Sequence, residues 1–480
     1  MMFHNGLVVF SQLFSQFIIM NTNNQHILYV NDLTESRASS SPALETINEN
    51  EQLLNFDYEE KSSNLTDVYH SSARSTKEAE IFLENETSNV QTYESFEDMN
   101  LKPKLLRGIF GYGIDSPSTI QSKAIIPISS GKDVLAQAQS GTGKTLTFTV
   151  GILQRIDTSK SGCQAIIVAP TRELARQSEK VIKAVGDYMI DDHHKNDHQG
   201  GLGVYCSIGG NKVRTDIMAL KSNKYQVVVG TPGRLFDMIK RKCINTNSLK
   251  MLILDEADQM LMSPDFKDMI HDIFKSIPED VQACLLSATM PPEAIEITKY
   301  FMRDPIKILC QADEVTLEGI RQFYFDYEAE RFKFQALLEL YEVLNITQAV
   351  IFVNTRKTAE DLQFSLKEEN HVVSCIHGNL DQDERNIIMQ EFRTGASRIL
   401  IATDLIARGI DVQGVSLVIN YDLPTQKETY VHRIGRSGRF GRKGTAINFA
   451  LDRDVRKIRE IEEYYSTNIQ VMPEDIADYV

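Results

Sequence analysis

The residues Ala138–Thr145, AQSGTGKT, carry the densest chemical signal in the chain. Gly141 and Gly143 free the backbone, so that N–H groups beside Ser140 and Thr142 can wrap around a phosphate chain at a helix N-terminus, where the dipole also favours anions. Lys144 is placed to reach β- and γ-phosphates, and the Thr145 hydroxyl to ligate Mg²⁺. Phosphate loops usually open with glycine, and here Ala138 takes that position. The apolar run DVLAQA before it and LTFTVGIL after it supply the strand and helix that a chance glycine-rich turn would lack.

A phosphate loop needs a second metal carboxylate at the end of a neighbouring strand. MLILDEAD offers one: an apolar run, then Asp255, then Glu256. Asp255 would hold Mg²⁺, and Glu256 would orient and deprotonate an attacking water. An isolated acidic string is otherwise a solvated strand end. The preceding strand and the order of the two motifs favour the catalytic reading. Positive charge opposite the phosphates could come from HRIGRSGR, His432–Arg439, where Arg436 and Arg439 are separated by a glycine and a serine. They fit a pair of arginine fingers, or equally a basic loop on RNA phosphates, and the residues alone leave both open.

Such groups need rigid strand ends to hold them. From Ser95 the chain alternates short apolar runs with amphipathic stretches. The first series is 133–138, 165–170, 227–232, 251–256 and 283–289; the second is 349–355, 372–378, 397–403, 416–422 and 445–451. Strands that are apolar throughout and alternate with helices predict parallel sheets covered on both faces. The fold class expected is α/β, with two tandem domains: 94–309, a linker at 310–319 and 320–480. Residues 1–93 read as a disordered acidic extension, with 4 Lys+Arg against 13 Asp+Glu and no sustained periodicity.

The chain is 480 residues long with a net charge of −15, but nine of those negative charges lie in the extension, so the total says little about a local groove. Six scattered cysteines without a CxxC pair argue against a disulfide scaffold or a cysteine zinc site and for a reducing compartment. Residues 1–20 are apolar but carry no basic side chain and are interrupted by polar ones, which fits neither a secretory signal nor a transmembrane helix; Met20 is a possible alternative start. MIDDHHKNDHQGG, after Tyr188, has three histidines and three aspartates and reads as a solvated loop insertion rather than a metal site.

GYGIDSPSTIQ, AQSGTGKT, PTRELA, GG, TPGR, DEAD, SAT, VIFVNT, ATDLIARGID and HRIGRSGR occur in this order, and together they resemble the DEAD-box RNA helicases from about Phe96 to the C-terminus. LLRGIFGYG, DPIKILCQADEVTLEGIRQFY and YYSTNIQVMPEDIAD resemble its initiation factor 4A subfamily, which includes a nuclear exon-junction paralogue. The resemblance implies two RecA-like domains, ATP and Mg²⁺ as cofactors, and a set of roles. Gln121 would read the adenine edge, with Phe96 supporting the pocket, Ser116 near the base and Asp411 at the ribose. Ser287 and Thr289 would couple hydrolysis to closure. Pro170, Thr171, Arg172, Gly209, Gly210, Thr231, Pro232, Gly233 and Arg234 match first-lobe RNA contacts. Thr355, Arg356, Gln382, Arg385, Thr403 and Asp404 match those of the second. Ile114 and Ser116 depart from the residues usual in the subfamily, so weaker nucleotide affinity is expected.

Contacts of this kind hold the phosphodiester chain without reading bases, with the 2′-hydroxyl separating RNA from DNA. The expected activity is ATP-dependent unwinding of short RNA duplexes or remodelling of RNA–protein complexes, in translation initiation or nuclear RNA processing. An ATP-gated RNA clamp that nucleates a ribonucleoprotein complex is the alternative. A DNA translocase is disfavoured by the motif set. Expected partners are RNA and scaffold or activator proteins, with no membrane, in the cytoplasm or the nucleus and nucleolus.

Overall fold

The computed structural model describes residues 90–138, 141–189, 201–308, 319–327, 329–344, 347–404, 415–437, 444–473 and 476–479. Nearly all of the expected extension and linker lie outside them, as does the core of the histidine-rich insertion. Two parallel sheets of seven strands organise the rest.

The first sheet contains β1 (Val134–Gln137), β2 (Ala165–Val168), β3 (Val204–Ser207), β4 (Val227–Gly230), β5 (Met251–Asp255), β6 (Gln282–Ser287) and β7 (Ile306–Ile308). Their order is β3-β4-β2-β5-β6-β1-β7. The second contains β8 (Ile320–Asp326), β9 (Ala349–Val353), β10 (Val373–Ile376), β11 (Ile399–Thr403), β12 (Leu417–Asn420), β13 (Gly444–Ala450) and β14 (Gln470–Val471). Its order, β10-β11-β9-β12-β13-β8-β14, repeats that of the first sheet strand for strand. The two lobes therefore share one topology.

Burial explains why these runs become strands. In β5, Met251 and Ile253 enter one core cluster while Leu252 and Leu254 enter another, so both faces are covered. In β9, Val350 and Phe352 face one core of the second lobe, and Ala349, Ile351 and Val353 face the other. Parallel pairing aligns all carboxyl ends at one edge, and open α/β sheets bind ligands in the crevice outside that edge. Functional residues emerge there. β1 runs into the phosphate loop and the helix Lys144–Arg155, β2 into the helix Arg172–Gly186, and β4 into the helix Pro232–Lys240. In the second lobe β9 leads to the helix Arg356–Glu368 and β10 to the helix Gln382–Thr394.

Candidate active site

The phosphate loop closes on its own backbone. Gly141 and Gly143 adopt φ of +89° and +95°, the left-handed region that disfavours side chains. A Cβ at Gly143 would also stand 2.2 Å from Gln121 Nε2. Gln121 belongs to the helix Thr119–Ser129, capped by Ser118; its Oε1 accepts from Ser118 N at 2.9 Å and its Nε2 donates to the Gly143 carbonyl at 3.4 Å. Ser118 Oγ donates to the Thr142 carbonyl at 2.7 Å. The residue expected to read the base is thus tied to the loop that would hold the phosphates. Ala138 is buried, donates its N–H to the Ser287 carbonyl at 2.9 Å, and its carbonyl accepts from Lys144 Nζ at 2.9 Å.

Asp255 ends β5 and Glu256 follows with φ +53°, a left-handed conformation held in a non-glycine residue. Its N–H donates to Asp255 Oδ1 at 3.1 Å. Lys144 Nζ stands 3.9 Å from Glu256 Oε2. Burial, and then the neighbouring Glu256, raise the Asp255 carboxyl to about 7. Burial also works against charge on Glu256, but Lys144 and His432 outweigh it and hold that carboxyl below its usual range. The adjacent carboxyls therefore divide the work, with the negative charge on Glu256 and the proton favoured on Asp255. Asp255 Oδ2 and Glu256 Oε2 are buried without a hydrogen-bond partner. An orphaned carboxylate oxygen beside a phosphate loop fits a hard divalent cation, which would supply the missing charge.

The second lobe reaches this pair through the helix Lys427–Ile434. His432 Nε2 meets Asp258 Oδ2 at 3.0 Å, and its Nδ1 lies 3.7 Å from Glu256 Oε2. Asp258 also accepts from Ser287 Oγ at 2.5 Å and Thr289 Oγ1 at 2.6 Å. Ser287 and Thr289, expected to couple hydrolysis to closure, thus share one carboxylate with a histidine of the other lobe. Arg436 is buried, donates from Nε to the His432 carbonyl at 3.0 Å, and its charge is felt at Glu256. Neither Asp258 nor His432 is assigned a role by its local sequence. Their signals are nonetheless present: Asp258 lies three residues beyond Asp255, and His432 opens the arginine-rich motif.

Many of the residues expected at RNA gather at helix N-termini beyond the strand ends. Thr171 caps Arg172–Gly186 by accepting from Leu174 N at 3.2 Å, Thr355 caps Arg356–Glu368 by accepting from Thr358 N at 3.0 Å, and Thr231 and Pro232 open Pro232–Lys240 beside Gly233. Free N–H groups and the helix dipole make such ends natural phosphate cradles. Gly209 and Gly210 lie against Arg172, and Gly210 has φ of +91°. Pro170 is buried just before the Thr171 cap, and Thr403 ends β11.

Other expected RNA contacts are engaged within the protein. Arg234 pairs with the buried Asp216 at 2.5 Å and donates to the Asn211 carbonyl at 2.9 Å. Asp404 accepts from Arg433 Nε at 2.5 Å and Nη2 at 2.8 Å. Arg385 is buried across the cleft against Glu173 at 2.9 Å, and Gln382 Oε1 accepts from Arg172 at 3.1 Å. Arg356 lies at the surface, 3.3 Å from Glu360. Phe96 is fully buried against Phe110, while Ser116 is exposed and Thr145 stands in the first turn of its helix. Ser140, Asp411 and Arg439 lie outside the described residues.

Known proteins resemble the chain over both lobes. Residues 118–297 match the family model of the DEAD/DEAH box helicases, and residues 332–441 that of the helicase conserved C-terminal domain. The eukaryotic initiation factor 4A of Caenorhabditis elegans is 56% identical over 390 residues, covering 81% of this chain and 94% of the relative. The ATP-dependent RNA helicase eIF4A of Schizosaccharomyces pombe is 55% identical over 395 residues, covering 82% and 97%. The structure of S. cerevisiae Dbp5 bound to RNA and ADP BeF3 superposes with a TM-score of 0.74 at 36% identity, covering 80% of this chain and 97% of that one.

Proposed function

The chain belongs to the DEAD/DEAH box helicase family as an ATP-dependent RNA helicase of the initiation factor 4A type, and from that premise we propose that it grips RNA by its backbone in the cleft between the lobes and uses ATP hydrolysis to separate short duplexes or remodel RNA–protein complexes. The observation that carries this reading is the meeting of Lys144, Asp255 and Glu256 of one lobe with His432 and Arg436 of the other. Lys144 neutralises phosphate charge, and Glu256, kept ionised, takes the proton of the attacking water. Thr145 and Asp255 would hold Mg²⁺, which when bound screens the phosphate charge. Gln121 faces the adenine from the helix that also braces the loop. The helix N-termini at Thr171, Thr231 and Thr355 take successive RNA phosphates.

Arg436 is the finger, so chemistry waits until RNA and ATP draw the lobes together, and closure bends the RNA and strips short strands. The name of the Caenorhabditis elegans relative, an initiation factor, favours a role in translation initiation, and we place the protein in the cytoplasm with scaffold or activator proteins as partners. The clamp reading has two contacts in its favour: Glu173–Arg385 and Arg172–Gln382 join the lobes when they are closed. An ATP-gated clamp would hydrolyse ATP slowly and stay on RNA in the presence of partner proteins.

The test is turnover measured across an RNA titration for Arg436→Ala. A finger predicts a fall in kcat of about 10³-fold that saturating RNA does not restore. Full recovery at high RNA would make Arg436 a phosphate contact and remove the cross-lobe mechanism.

A further inference from the structure

The helix Arg172–Gly186 of the first lobe and the helix Gln382–Thr394 of the second meet in a polar seam. Arg172 and Glu173, of PTRELA, face Gln382 and Arg385 there, two of the expected RNA contacts. One turn further along each helix stands a pair outside every motif. Arg176 Nη1 donates to Asn386 Oδ1 at 2.7 Å, the shortest bond of the seam, and Gln382 Nε2 donates to the same oxygen at 3.2 Å. Gln382 Oε1 in turn accepts from Arg172. A continuous chain of hydrogen bonds therefore runs Arg172, Gln382, Asn386, Arg176, crossing the cleft twice.

We propose that Arg176 and Asn386 are positioning residues that set how readily the lobes close. Both side chains are half-buried, so their bond is shielded from water and must break whenever the lobes part. The charges of the seam leave room for tuning. The guanidiniums of Arg172, Arg176 and Arg385 crowd this seam, where Arg385 pairs with Glu173 and Arg172 and Arg176 both work against the charge on Arg385. Asn386 meets this surplus with an amide oxygen and no charge. A pair that acts only in the closed arrangement changes the RNA concentration needed for closure and leaves the chemistry of the closed state alone.

The inference rests on the proposed RNA-stimulated reaction, and its test separates the two. ATPase activity of the full chain is titrated with single-stranded oligouridylate for the unchanged protein, Arg176→Ala, Arg176→Lys, Asn386→Ala and Asn386→Asp. Loss of one hydrogen bond to a charged group predicts a rise of about 10- to 150-fold in the RNA concentration for half-maximal rate in both alanine variants. Their kcat at saturating RNA stays within about twofold, and the double alanine variant costs less than the sum of the two. Arg176→Lys restores part of the loss. Asn386→Asp converts the bond into an ion pair and lowers the half-saturating RNA concentration.

An increase for Asn386→Asp would overturn the proposal, because an added negative charge weakens binding only if Arg176 holds an RNA phosphate. Flat titrations for all variants, with the unchanged protein stimulated by RNA, would overturn it as well. Absence of RNA stimulation in the unchanged protein would instead remove the proposed function, and this inference with it.

Discussion

Asp255 and Glu256 are neighbours of the same chemical type with opposite fates. The strand end buries both, and position alone decides which keeps the charge. Glu256, turned into the left-handed region, faces Lys144 and His432, whereas Asp255 Oδ2 faces no donor. That arrangement has a cost in the nucleotide-free protein. Asp255 moves from an ordinary 3.8 to about 7, so between those values the folded chain binds more protons than the unfolded one. Stability therefore falls as pH rises through that window, and above it the penalty is fully present. Asp255→Asn removes the titrating group, so the nucleotide-free variant should melt higher than the unchanged chain at pH 8, with the gap closing toward pH 4. Turnover should vanish, because the amide is a poor cation ligand. Calorimetry at several pH values checks this, and a variant less stable than the unchanged chain at pH 8 would show that the carboxylate is well solvated.

Arg433 binds several elements together. It is fully buried over the Phe352 ring, and its guanidinium donates to Asp404 after β11, to the Asn354 side chain after β9 at 2.7 Å, and to Asn420 of β12 at 3.3 Å. The same residue sits in the helix that presents His432, so the second lobe's contribution to the active site hangs on this node. Arg433→Lys keeps one charge but loses the planar fork and most of the bonds. It should destabilise the chain by about 3 kcal/mol or more and lower kcat without altering ATP affinity. Thermal melting beside ATP titration tests it, and an unchanged melting temperature would show that the network is dispensable.

At the scale of the whole molecule, the proposed catalytic and binding groups lie between Phe96 and Arg439, and 1–93 carry no motif. A chain beginning at Gln91 should retain RNA-stimulated ATPase activity within about tenfold, a difference of roughly 1.4 kcal/mol in the barrier. A larger loss would make the acidic extension part of the machine.

How much was legible in the sequence follows from what each signal depends on. Runs buried on both faces, such as MLILD and AVIFV, declare themselves because parallel sheets demand continuous apolar character. β3 and β7 lie at the edges of the first sheet and β14 at an edge of the second, where one flank is unpaired, and none of the three carries a continuous apolar run like those of the expected strands. β8 is interior, yet Arg321 and Gln322 interrupt its apolar pattern, and it too lacks such a run. The proximity of Lys144, Asp255 and Glu256 is legible because a phosphate loop and a neighbouring strand end each fix their residues locally. That of Asp258 with His432, Glu173 with Arg385, and Arg176 with Asn386 is not. Each pair joins residues more than 170 positions apart, and a single chain carries no local record of which helix face will meet which across a cleft. Only the packing of one sheet's carboxyl edge against the other's decides that.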